Sequence, residues 1–110
     1  MRIRLIKERT IHDYAVREGK KGLVFNKWTV VIKAANVDNH NDLLSLFSSV
    51  DALGKKSNRV CFDVGGNNYR VICKVKFGKK KCHMFVCWIG THVEYDELCK
   101  SNLQYTIEVY

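Results

Sequence analysis

The 110-residue sequence contains no proline, so no strand or helix is broken by a residue lacking a backbone N–H, and no proline-rich linker divides it. It has no long apolar run either. The longest, Met84 to Ile89, falls far short of the roughly 20 residues a membrane-spanning helix needs, which predicts no membrane partner. The opening MRIRLIKERT lacks the apolar stretch of a signal peptide, and the chain is expected to stay in the cytosol. There is no CxxC pair. The five cysteines, Cys61, Cys73, Cys82, Cys87 and Cys99, are an odd number set mostly in apolar strand patterns, as expected of reduced core filler. The phosphate-binding P-loop and GxGxxG signatures are missing, as are internal repeats and low-complexity segments. Acidic residues are scarce: 11 Asp plus Glu face 19 Lys plus Arg, a net charge of +8.

What is present points to one packed domain spanning residues 1–110. Hydrophobic residues make up 46% and charged residues 27% of the chain, close to ordinary globular usage, which argues against disorder, and the length suffices for one core. A basic excess of this size attracts a polyanion and makes binding salt-sensitive through counterion release, so nucleic acid, and RNA first, is the leading partner class. A basic surface that serves only solubility is the alternative, and composition leaves both open.

The first half reads as helical. Arg2 to Ile6 alternate as a short edge strand with Arg2 and Arg4 on the polar side. Thr10 and Asp13 have capping-box spacing, which predicts a helix running to about Glu18 before Gly19-Lys20-Lys21-Gly22. From Leu23 to Ala35, Val24, Trp28, Val31 and Ala35 recur on one helical face, with Trp28 as a core anchor. Asn39 caps a further short helix through Ser48, with Asp42 in its first turn and Leu43, Leu44 and Phe47 buried. Gly54 to Asn58 closes this half.

The second half changes to period two. Val60, Phe62 and Val64 alternate with Cys61 and Asp63. Gly65-Gly66-Asn67-Asn68 then supplies residues that tolerate positive φ for a hairpin turn. In the next strand Tyr69, Val71, Cys73, Val75 and Phe77 share one face, and Arg70, Ile72, Lys74 and Lys76 share the other. Gly78 to Lys81 turns into Cys82–Ile89, apolar on both faces as a covered central strand would be, so the sheet is a meander. Thr91 and Glu94 repeat the capping-box spacing and start a helix through about Cys99. Residues 103 to 109 alternate once more, as a last strand or as an arm that pairs with another chain. The fold class is therefore α+β, with helices on one face of a mostly antiparallel sheet and a short C-terminal helix.

Two constellations carry chemistry. Arg70, Lys74 and Lys76 gather cations on one strand face, and an arginine fork can hold a phosphate by two hydrogen bonds. A solvated sheet face is the plainer reading, and it suits Lys76 and the Lys79–Lys81 turn. His92, Tyr95 and Asp96 share one face of the last helix, with His92 at its start, beside backbone N–H groups that favour an anion. A histidine that titrates near neutrality can move protons, and a phenol can position an oxygen, both useful for cleaving RNA through its own 2′-hydroxyl. A cap and a packed tyrosine would account for the same residues. Cys82, His83, Cys87 and His92 lie close in sequence, but Cys82 and Cys87 fall on opposite faces of a strand, which spoils a shared zinc site. Cysteines this buried in pattern are poor nucleophiles.

Val60-Cys-Phe-Asp-Val-Gly-Gly-Asn-Asn-Tyr-Arg-Val-Ile72 and Ile89-Gly-Thr-His-Val-Glu-Tyr-Asp96 resemble the HigB family of bacterial toxins, messenger-RNA interferases of type II toxin–antitoxin systems within the RelE superfamily. With Trp28 and the Phe47 to Asp51 segment, the resemblance covers most of residues 1 to 98. It implies a RelE-like fold, ribosome-associated cleavage of mRNA without a cofactor or metal, and an adjacent HigA-like antitoxin with a DNA-binding helix-turn-helix. Carried over by position, Arg70 corresponds to a phosphate ligand, His92 to a candidate acid or base, and Tyr95 to the motif tyrosine. Asp63 departs from the family, where asparagine is common, and an acid there is expected to weaken phosphate binding. RelE uses lysines in the strand before the turn, and this chain has none there, so Arg59 or Lys74 is expected to substitute. Asn67 and Lys76 complete the expected RNA contacts. The extension beyond about Lys100 has no counterpart. Two other readings remain: a non-catalytic module that grips RNA or the ribosome, and a degenerate toxin serving only as the antitoxin's partner.

Overall fold

The computed structural model describes every residue except Lys55, so the loop expected over Gly54 to Asn58 lies partly outside the described residues. Among the described residues no helix is long and apolar enough to cross a membrane. The period-two half forms the sheet. β2 (Val50–Ala52), β3 (Arg59–Val64), β4 (Tyr69–Phe77) and β5 (Lys81–Thr91) run as an antiparallel meander. β1 (Arg2–Ile6) joins beside β5 in parallel, giving the order β1-β5-β4-β3-β2. β1 is an edge strand as its pattern suggests, with Arg2 and Arg4 exposed and Ile3 buried. β2 escaped the sequence reading because three residues with two exposed carry no periodic signal.

α1 (Glu8–Arg17) and α2 (Leu23–Ala34) cover one face. Ile11, Ala15, Phe25, Trp28 and Ile32 pack there against Phe62, Val64, Tyr69, Val71 and Cys73, all buried. Thr10 is not the cap of α1. β1 passes into the helix through a single left-handed residue, Lys7 at φ 67°, and Thr10 lies inside it, while Asp13 pairs with Arg9 at 3.9 Å. The stripe on α2 is also turned by one position: Phe25, Trp28 and Ile32 are buried, whereas Val31 is 39% exposed. Apolar residues stand at both registers, and the sheet takes the bulkier set. α3 (His40–Leu44) is shorter than expected but has the expected cap, with Asn39 accepting from the Asp42 N–H at 3.0 Å.

Gly22 sits where the turn between α1 and α2 crosses Ala15, and a Cβ on it would fall 1.9 Å from the Ala15 carbonyl oxygen. Backbone cannot yield as a side-chain tip would. Gly22→Ala is expected to separate the two helices and lower stability by roughly 2 kcal/mol or more, in the range of a core distortion. A thermal melt matching that of the parent chain would contradict this.

The opposite face carries a second, smaller core. At Ile72/Cys73 the β4–β5 register slips, Ile72 facing Trp88 while Cys73 faces Val86. The bulge adds Cys87 to the side where Cys61 and Ile72 lie. α4 (His92–Lys100) covers this cluster through Tyr95 and Leu98, and the C-terminal segment covers it through Ile107. Residues 103 to 109 are therefore neither a strand nor a free arm. Leu103–Tyr105 make a 3₁₀ turn, and the chain then lies against the sheet, with the Val109 N–H donating to the Cys87 carbonyl at 2.8 Å.

Candidate active site

The four-residue turn Gly65–Asn68 fixes the geometry of the site. Gly65 and Gly66 both have φ near 67°, a region costly for other residues. With Val64 facing Tyr69, the register sets Asp63 against Arg70 on β4, and β5 in turn sets Gly90 against Arg70 and Thr91 against Tyr69. The two motifs, distant in sequence, are thus hydrogen-bonded neighbours. The contact continues past the strands, because the His92 N–H donates to the Asn68 carbonyl at 3.1 Å. Thr91 forms a complete capping box with Glu94, as its spacing predicts, and His92 is the first residue of α4.

Arg70 does not project from the sheet as a free cation. It is 8% exposed. Its Nη1 lies 3.0 Å from Asp63 Oδ1 and donates to the Tyr69 carbonyl at 3.4 Å, and its Nη2 donates to Asn67 Oδ1 at 2.9 Å. The guanidinium also lies 5.8 Å from the centre of the Tyr95 ring, within cation–π range. Asn67 is thus an Arg70 ligand on an exposed turn. Asp63, expected as a disturbance of a phosphate path, is the counterion of the site's arginine.

His92 is 38% exposed, with Nε2 3.5 Å from Asp96 Oδ2. Its Nδ1 is buried and has no hydrogen-bond partner among the described residues. Asp96 therefore stands where it can orient the ring. Tyr95 turns the other way. Its ring packs on Trp88 with centroids 6.1 Å apart and against the Cys61–Ile72–Cys87 cluster. Burial first, and then the Cys61 side chain, push its pKa up, so the phenol holds its proton.

The other cations stand apart. Lys74 lies four residues along β4 from Arg70, about 13 Å at strand rise, and with Lys76 it is exposed. Arg59, directly opposite Lys74, is 5% exposed, and its Nη1 donates to the carbonyls of Ile107 and Gln104. The C-terminal segment thus covers one of the expected RNA contacts. The face read as a single basic surface is divided by the Cys61–Ile72–Cys87 cluster into a turn-proximal group and a distal pair of exposed lysines.

A family model described as HigB_toxin, a RelE-like toxic component of a toxin–antitoxin system, matches residues 23–98. The chain belongs to the HigB family. Among curated proteins it is similar to the mRNA interferase HigB of Escherichia coli O6:H1, 34% identical over 70 residues. That alignment takes in 64% of this chain and 66% of the relative, just under two thirds of its length. The HigB match contains both motifs and every site residue discussed, and it ends before the C-terminal segment that holds Arg59.

Buried protons tie the fold of this HigB-family chain to pH. Burial raises the Cys61 thiol from 9.0 to about 12. The bond to Glu18, then burial, raises Tyr69 from 10.0 to about 12, and burial does the same for Tyr14. The folded chain keeps these protons after the unfolded chain has released them. Their stabilisation is therefore complete below pH 9.0 and declines as pH climbs towards 12. Urea midpoints should fall through that window, and a level midpoint would be inconsistent with it.

Proposed function

We propose that the chain is an endoribonuclease that cuts mRNA on the ribosome and arrests translation, with an adjacent HigA-like antitoxin as its inhibitor. The observation that carries this is the pairing of the GGNNYR and GTHVEYD segments, which sets a buried arginine beside a helix start bearing a half-exposed histidine. Family membership and the net charge of +8 support it. In the reaction the 2′-hydroxyl loses its proton and attacks the adjacent phosphorus. The bond to the 5′-oxygen breaks, and that oxygen takes up a proton, leaving a 2′,3′-cyclic phosphate and a 5′-hydroxyl. His92, oriented by Asp96, moves one of these protons. Arg70 stabilises the charge that builds on the phosphate. Tyr95 acts as a positioning residue through its ring, which packs on the Cys61–Ile72–Cys87 cluster and lies against Arg70. Lys74 and Lys76 guide the RNA backbone farther along the strand, while Asn67 holds the guanidinium from the turn.

A second reading, a module that grips RNA or the ribosome without cutting, is favoured by one observation: Arg70 is neutralised by Asp63 before any substrate arrives. Mapping RNA 5′ ends in bacterial cells after induction separates the two. Cleavage is expected to produce new ends clustered inside translated codons within minutes. Arrest with an unchanged end profile would favour the binding module.

A further inference from the structure

Arg70 has five N–H donors, and Asp63, Asn67 and the Tyr69 carbonyl occupy three of them. Its most strongly attracting partner is Asp63, because an ion pair only 9% and 18% exposed is poorly screened. A phosphate approaching this guanidinium meets a carboxylate already seated on it. We propose that Asp63 is an internal competitor for the RNA phosphate: binding proceeds by exchange, with a phosphate oxygen taking the Nη1 position that Asp63 holds in the free protein. This rests on the ribonuclease reading above and adds to it a residue that sets substrate affinity by acting through Arg70.

The surroundings permit the exchange. The Asp63 side chain is itself 18% exposed, so the displaced carboxylate has water to turn into. The exchange replaces one anion by another on Arg70, so the guanidinium stays paired throughout and a buried unpaired charge is avoided. Asp63 is a positioning residue in this scheme, since it touches Arg70 and not the reacting atoms.

The test uses the full chain and an mRNA whose 2′-hydroxyls are methylated, so that it binds without being cut. It is offered both free and on programmed ribosomes, and affinity is read wherever the parent chain binds. Asp63→Asn keeps the side-chain shape and an oxygen acceptor for Arg70 but removes the charge. It is expected to bind about tenfold more tightly at low salt, the scale of one charge–charge contact, and to steepen the slope of log Kd against log salt by about 0.7, the single-strand increment for one charge, because no displaced carboxylate takes up a cation in the complex. Asp13→Asn makes the same charge change on α1, on the opposite side of the sheet, and is expected to move neither quantity much. Equal shifts in the two variants, or none in Asp63→Asn, would overturn the competitor role. A measurement on the parent chain guards against misfolding of the variant: the ¹³C shift of the Asp63 carboxylate should move as RNA saturates, and a fixed shift would overturn the exchange. Failure of the parent chain to bind mRNA in either form would instead sink the ribonuclease reading.

Discussion

Replacing His92 with alanine is expected to reduce the rate of mRNA cleavage by about 10²- to 10⁴-fold, the usual contribution of one positioned proton-transfer group. The fold should hardly notice. His92 is 38% exposed, its Nδ1 has no partner among the described residues, and the cap that starts α4 belongs to Thr91 and Glu94. The loss should therefore appear in kcat with little change in KM, as for an interaction made in the transition state and not in the ground state. Asp96→Asn, which removes the partner of Nε2 and leaves the imidazole in place, should cost less, within about tenfold to a hundredfold. In cells, growth arrest should vanish in the alanine variant while the protein accumulates to normal levels. Full toxicity of His92→Ala would remove this residue from the chemistry.

Arg70→Ala should have the larger effect on stability. Removing one member of a buried ion pair leaves the other charged and unpaired, which typically costs about 3–5 kcal/mol. Asp63, 18% exposed with Arg70 in place, would lose its counterion, Asn67 would lose its donor, and the Tyr95 ring would lose the cation beside it. Against a total stability of about 5–15 kcal/mol this is a large fraction, and for a domain of this size it corresponds to a drop in Tm of roughly 10 °C or more. Replacing both charges together, as Asp63→Asn with Arg70→Met, should recover most of the loss, since no unpaired charge remains. A Tm for Arg70→Ala within about 2 °C of the parent would show that the pair contributes no more than a surface contact. This prediction bears on toxicity assays too: inactivity of Arg70→Ala reports on catalysis only when the folded fraction has been measured alongside.

The sequence is most legible where one signal stands alone. The alternation through β4 has no helical alternative, and Thr91 with Glu94 begins α4 as the capping spacing predicts. It is least legible where two signals compete. On α2, Val24-Trp28-Val31 and Phe25-Trp28-Ile32 both describe an apolar stripe, and packing selects the bulkier one. Residues 103 to 109 alternate like a strand, but their neighbour is the Cys61–Ile72–Cys87 cluster and not a free sheet edge with matching length.

For the site, the residue types and their two motifs were readable, and their pairings were only partly so. The Asp63–Arg70 contact was countable in advance, because a four-residue turn between Val64 and Tyr69 forces Asp63 opposite Arg70. What no local pattern carries is burial by a distant segment. Arg59 alternates like an exposed cation, and only the return of Gln104 and Ile107 across the sheet, more than forty residues later, takes its charge out of reach. The packing of Tyr95 has the same cause, since the Cys61–Ile72–Cys87 cluster beneath it is built from three strands.

The chemistry of the cut tests the site most directly. Purified chain should be incubated with mRNA, free and on translating ribosomes, and the termini of the products identified by enzymatic labelling and mass spectrometry. Attack by the 2′-hydroxyl predicts 5′-hydroxyl ends and 2′,3′-cyclic phosphates, formed by the parent chain and lost in His92→Ala. Products with 5′-phosphate ends, or intact mRNA in both settings with a folded parent chain, would contradict it.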